Sequence, residues 1–179
     1  MHEVMEGHEA GENHEDNPLM MPVAVTLSIL AVLVAIATLL GHRAGTEELM
    51  LQTKATDQWA LFQAKNIRLH EMQSMADLLG TLEPADKEKA SALRDKYLSE
   101  VERYTKEKEE ATQEAKSLEA ERDLMGKRED RYDAGEVILE IALIVCSLTL
   151  LTKKRIFWFS GMMLGLVGLV VTLSGHLLR

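Results

Sequence analysis

The sequence predicts an all-α membrane protein, with three transmembrane helices and a long extramembrane, coiled-coil-like helical hairpin between the first and the second. Charge segregation is the first reason. Nearly all Lys and Arg lie between Arg43 and Arg131, and long uncharged apolar runs flank that stretch, as suits a chain that meets two solvents. The second reason is that the charged stretch is built of helix formers and carries a seam of alternating three- and four-residue steps. The net charge of −9 over 179 residues is an average of these two kinds of segment and describes neither.

Taken in order, residues 1–17 are polar and acidic with no apolar period, the composition of a disordered tail. His2-Glu3, His8-Glu9 and His14-Glu15 repeat there every six residues. Imidazole beside carboxylate suits Zn, Ni or Cu, which makes His2, His8 and His14 candidate metal ligands. The plainer reading is a solvated acidic tail, and no cofactor is expected.

Residues 18–42 form the first predicted span. Leu19 to Leu40 is interrupted only by Pro22, Thr26, Ser28 and Thr38, and at helical rise it covers roughly 30 Å. A cleaved signal peptide fits poorly, because no Lys or Arg precedes Leu19 and no small-x-small pattern surrounds Gly41. The span is therefore expected to persist in the mature protein. Cys146, the single cysteine, excludes an intrachain disulfide.

The predicted hairpin occupies residues 43–133, with its turn at 80–84, where Gly80 would end one helix and Pro84 open the next. Its second arm holds the seam Leu93, Tyr97, Val101, Tyr104, Lys108, Ala111, Ala115, Leu118, Arg122 and Met125. The first arm offers a less regular apolar surface of Ala55, Trp59, Phe62, Ile67, Leu69, Met72, Met75 and Leu79. Two such helices alone bury little, so further copies are expected to complete a bundle. The second arm is also the longer by about a dozen residues, roughly 18 Å, which predicts a bend, break or oblique path near Gly126 or Gly135.

Residues 134–152 form the second predicted span, 153–155 a short basic loop and 156–178 the third span. In the third, Gly161, Gly165 and Gly168, followed by Thr172, make a small-residue face suited to close helix packing. Phe157, Trp158 and Phe159 beside Lys153-Lys154-Arg155 read as an interfacial belt.

Three-span threading brings His42, Arg43, Glu136, Glu140, His176 and Arg179 to similar depth at one membrane face. One reading is a ring that responds to protons or cations; the other is ion pairing that anchors helix ends. Topology follows the basic loop: held in the cytoplasm, it places the hairpin outside and the N-terminus inside, although Arg43, Lys127, Arg128 and Arg131 favour the reverse.

The end of the first span at Gly41-His42-Arg43-Ala44, then Asp57-Gln58-Trp59-Ala60-Leu61-Phe62-Gln63-Ala64-Lys65, a charged helical stretch and two closing spans resemble an uncharacterised bacterial membrane family, domain of unknown function family forty-three thirty-seven. The resemblance covers most of the chain from the first span on, and Asp57, Gln58 and Trp59 are its signature. It implies a bacterial protein and carries over no activity; the expected location is the bacterial inner membrane. Trp59 is expected to pack where the first arm leaves the membrane, with ligand stacking as the other reading.

No phosphate loop, His-Glu-x-x-His helix, nucleophile elbow or Cys pair is present, so the chain reads as no enzyme. The hairpin is net acidic, which argues against nucleic-acid binding. The expected function is a homo-oligomeric membrane scaffold whose partners are the bilayer, further copies of itself and other membrane or envelope proteins. A small ion channel or ion-coupled transport component using Glu140 is the alternative, and a membrane sensor with a helical ligand domain is the third reading.

Overall fold

The computed structural model describes residues 19–82 and 86–178. Three helices follow one another: α1 at Met20–Thr81, α2 at Lys87–Thr152 and α3 at Arg155–Leu177. No strand occurs among the described residues. Each helix is long and apolar enough, over at least part of its length, to cross a membrane. Neither α1 nor α2 stops where its sequence changes from apolar to charged, so each is a single rod with an apolar half and a polar half. Polar interruptions in the apolar half of α1 are satisfied locally: the hydroxyls of Thr26 and Ser28 donate to carbonyls four residues back, and the Thr38 hydroxyl lies 3.0 Å from the Val34 carbonyl. Pro22 lies in the first turn, where its missing N–H costs the helix nothing.

The connection between α1 and α2 differs from expectation at both ends. Gly80 stays inside the helix with an ordinary φ, and the chain leaves α1 at Leu82 in an extended conformation. Helix α2 opens at Lys87, where the Asp86 carboxylate accepts a hydrogen bond of 3.1 Å from the Lys89 N–H. The Lys89 side chain and backbone together hold the Asp86 carboxyl below its usual range. Pro84 lies outside the described residues.

From this turn α1 and α2 run antiparallel. Lys65 pairs with Glu107, Trp59 with Glu119, Gln52 with Arg122 and Thr38 with Glu136. In α1 the positions facing α2 are Val23, Leu27, Leu30, Val34, Ala37, Gly41, Ala44, Glu48, Leu51, Ala55, Gln58, Phe62, Lys65, Leu69, Met72, Ala76 and Leu79, all buried or half-buried. That is one seam of alternating four- and three-residue steps through both halves of the helix. It had been obscured because Glu48, Gln58 and Lys65 are polar, while Ile67 and Met75, expected in the contact, are about half exposed. The expected α2 seam continues past Met125 in the same rhythm through Glu129, Tyr132, Glu136, Leu139, Leu143 and Cys146. Leu93 drops out of it, 40% exposed, because α1 ends at that level: Gly80 lies beside Arg94.

Consequently α2 passes through Gly126 and Gly135 unbroken. The extra length of its arm is taken up at the turn, where its first residues extend past the end of α1.

Only Lys153 and Lys154 separate α2 from α3. Lys153 adopts the left-handed conformation at φ 55°, with its N–H on the Thr149 carbonyl at 2.8 Å. Helix α3 then folds back chiefly along α2 and presents Gly161, Gly165, Gly168, Thr172 and Gly175, all buried, to its neighbours. Trp158, expected in an interfacial belt, is half-buried and donates to Thr26 Oγ1 at 3.1 Å, tying the start of α3 to the start of α1. At the far end the Arg128 guanidinium donates twice to the Leu178 carbonyl, at 2.8 and 3.2 Å, where it also complements the negative end of α3.

The glycines of α3 are not equivalent. A Cβ on Gly161 would lie 2.9 Å from Cys146 Cβ and 3.0 Å from both the Ala142 O and the Cys146 N, so backbone would have to move. On Gly165 it would meet only the tip of the Leu30 side chain, at 2.7 Å. Gly161→Ala is therefore expected to destabilise the α2–α3 contact by about 1–3 kcal/mol, and Gly165→Ala by clearly less. Melting of the two variants in one detergent, followed by circular dichroism, checks the ranking; equal losses contradict it.

Candidate functional site

The polar residues of greatest interest gather where the apolar and polar halves meet. Gly41 lies against Tyr132 and Asp133, and Gly175 against Tyr132 and Arg131, so α1, α2 and α3 reach this level together. His42, Arg43 and His176 are exposed around it, while Arg179 lies outside the described residues. Glu136, one turn further into the apolar half, accepts a hydrogen bond of 2.6 Å from Thr38 Oγ1. Glu140 is a further turn in, about 12 Å along the axis from Tyr132, and is exposed beside the exposed Val137, Ile141 and Ile144. It makes no hydrogen bond or ion pair with another described residue. His42, Arg43, Glu136, Glu140 and His176 thus share a region, and no hydrogen bond or ion pair joins them to one another.

What the structure does assemble at this level is a set of carboxyls packed over glycines, which had not been anticipated. A Cβ on Gly41 would lie 2.7 Å from Asp133 Oδ1, and one on Gly45 2.7 Å from Glu129 Cδ. Reciprocally, a Cβ on Gly126 would lie 3.2 Å from the Glu48 carboxyl atoms. Glu48 and Glu129 therefore face each other within the seam, each resting against the bare backbone of the opposite helix. A cleft of about 290 Å³ opens beside them, lined by His42, Gly45, Thr46, Glu48, Leu49 and Glu129. Burial, and then the adjoining Glu48, Asp133 and Asp130 carboxyls, raise the Glu129 pKa above the ordinary glutamate value. The missed signal was the heptad itself: extended past Met125, it lands on Glu129, and in α1 on Gly41 and Glu48.

Further out, polar seam positions are answered across the interface. The Lys65 ammonium pairs with Glu107, lies 5.6 Å over the Tyr104 ring, and holds the Glu107 carboxyl below its usual range. Lys108 and Arg122, expected as interruptions, reach Asn66 at 3.4 Å and Gln52 at 2.5 Å. Trp59 is half-buried, donates to Glu119 Oε1 at 2.9 Å and meets Phe62 edge-on at 5.6 Å. Gln58 occupies the seam and Asp57 is exposed. The signature thus sits well along the polar half, about 24 Å beyond Arg43 at helical rise, and its tryptophan serves the helix contact.

His2, His8 and His14 lie outside the described residues. Among the described residues no group of three or more His, Cys, Asp or Glu side chains is placed to hold a metal ion.

The family model described as Domain of unknown function (DUF4337) matches residues 19–178. The chain belongs to this family. The match takes in all three helices, so the DUF4337 unit comprises the apolar bundle and the polar pair together. Neither the curated proteins nor the solved structures gave a match.

Proposed function

We propose that this DUF4337 chain is a membrane scaffold: its three apolar segments cross the bilayer, and the paired polar halves of α1 and α2 stand outside as a rigid stalk. The observation that carries this reading is the seam, which passes from the apolar into the polar half of both helices without a break in phase. Helix α1 has 62 residues and α2 has 66, so each is about 95 Å long, and an apolar layer of about 30 Å leaves roughly 60 Å of stalk. A stalk continuous with its anchors transmits position and orientation, which suits organising partners at a distance from the bilayer.

Assembly with further copies is the second part of the proposal. The polar half keeps large apolar side chains outside the seam, among them Leu49 at 71% exposure and Ile67 at 59%, with Leu78 and Leu82 also exposed. A two-helix stalk with such a surface is better served by a bundle than by water. Partners would be further copies and other envelope proteins.

The setting we propose is a bacterial inner membrane, with Lys153 and Lys154 on the cytoplasmic side and the stalk outside. Arg128, one of the residues favouring the reverse, is engaged with the Leu178 carbonyl. A cysteine at Leu82 in a Cys146→Ala background is expected to react with an impermeant maleimide in intact spheroplasts. Reaction only after lysis reverses the orientation.

Glu140 supports a second reading, a small channel, because it is exposed in the apolar half without a hydrogen bond or ion pair to another described residue. The two readings separate in one set of preparations. The scaffold predicts a defined oligomer by mass photometry in mild detergents and no ion flux in liposomes from wild type or Glu140→Gln. A monomer throughout removes the scaffold, and flux altered by Glu140→Gln establishes the channel.

A further inference from the structure

We propose that Glu48 and Glu129 form a pH-sensitive clasp that holds α1 to α2 at the base of the polar half, closed by a proton between the carboxyls and loosened when that proton leaves. The geometry is specific. Both residues occupy seam positions, where side chains point at the opposite helix, and each meets a glycine there, Gly126 and Gly45. Glycine lets two acids approach across an interface that elsewhere is filled by Leu51, Ala44 and Met125. With one proton present, a carboxyl can donate to the facing carboxylate. With none, two like charges confront each other in a half-buried contact, and the least costly response is for the helices to part toward the adjoining cleft.

The surroundings decide the direction. From α1, His42 lines the cleft and Glu47 adjoins Glu48; from α2, Asp130 and Asp133 add negative charge, and Arg122, already bound to Asp123 and Gln52, lies toward Glu48. Lys127 is exposed and Arg128 is committed to the Leu178 carbonyl. From α3, His176 is the titratable residue nearest this level among the described residues, and it is exposed. Burial, and then the Glu48, Asp133 and Asp130 carboxyls, outweigh these cations and the exposed Arg43 and Arg131, so Glu129 keeps its proton above the range of an isolated glutamate. A raised folded-state pKa gives stability that is fully present below the unfolded value and is lost as pH rises through the folded one. The clasp is therefore tight in acid and loosens toward neutrality. Lys65 and Glu107 behave oppositely, since a depressed carboxyl loses its contribution as pH falls. Acidification thus tightens the base of the polar pair while weakening its middle.

Spin labels at the exposed Lys54 and Glu121, on facing helices just beyond the clasp, report its state by double electron–electron resonance in the full-length protein in nanodiscs. In a Cys146→Ala background the distance distribution is expected to be narrow at low pH and to broaden as pH rises, with a midpoint above the ordinary glutamate value of 4.5. Glu129→Gln and Glu48→Gln each abolish the like-charge contact and are expected to stay narrow across the whole range. Hydrogen exchange at residues 43–50, corrected for its intrinsic pH dependence, provides a second readout and is expected to lose its pH-dependent opening in either variant. The proposal is overturned by a distribution that does not change with pH in the parent. It is equally overturned by broadening that survives both glutamine variants, or by broadening that disappears in His42→Ala while persisting in Glu129→Gln. Should one glutamine variant fail to give the parent helix content, the other decides.

Discussion

Phase continuity between the apolar and polar halves is the constraint on which the rest of this structure depends. A helix that buries one stripe in an apolar bundle and another in a polar pair has two independent chances to choose its facing residues. In α1 the same rhythm serves both, from Val23 to Leu79, and in α2 from Tyr97 to Cys146. A single residue gained or lost between the halves would turn one stripe about 100° away from its partner. Keeping phase allows each helix to pass from its apolar to its polar half without a break at the boundary.

That continuity explains where the glycines and the seam acids fall. Apolar side chains fill much of the interface on either side of the boundary, but the packing changes at the boundary itself. There the protein places Gly41, Gly45 and Gly126 opposite Asp133, Glu129 and Glu48, exchanging side-chain bulk for close approach and carboxyl contact. Farther into the apolar half, closeness is again achieved through glycine: Gly135 lies against the backbone of Thr172, and Gly168 against Leu139. Such close backbone approach supplies dispersion contacts between the helices. Farther out, Lys65–Glu107, Trp59–Glu119 and Arg122–Gln52 fix the register of the polar pair. These polar contacts, mostly half-buried, set the alignment of the two helices.

Much of the fold was legible in the sequence because apolar runs of membrane length and helix-forming composition are strong, redundant signals. The α2 seam was visible because Tyr97, Val101, Tyr104, Ala111, Ala115 and Leu118 are apolar at the expected spacing. The α1 seam was hidden by its polar members, since Glu48, Gln58 and Lys65 occupy positions that periodicity reads as solvent-facing. Helix ends were misplaced for a local reason: Gly80 and Pro84 look like punctuation, whereas the Asp86 cap sets where α2 begins. The Glu48–Glu129 contact could be inferred only by carrying the heptad through a change of composition, which hydropathy marks as an element boundary. His42, Arg43 and Glu140 were read by depth, but depth alone does not fix which side of a helix a residue occupies, and these three face outward.

Matched insertions test phase continuity most directly. Three alanines placed after His42 in α1 and three after Arg131 in α2 lengthen both helices equally while rotating the polar halves out of step with the apolar ones; seven in each position preserve phase. Hydrogen exchange over residues 43–81 is the measurement. The account predicts wild-type protection in the seven-residue variant and broad loss in the three-residue variant, because its polar stripes no longer face each other when the apolar stripes do. Equal protection in both would show that the halves associate independently, and would contradict a single continuous seam.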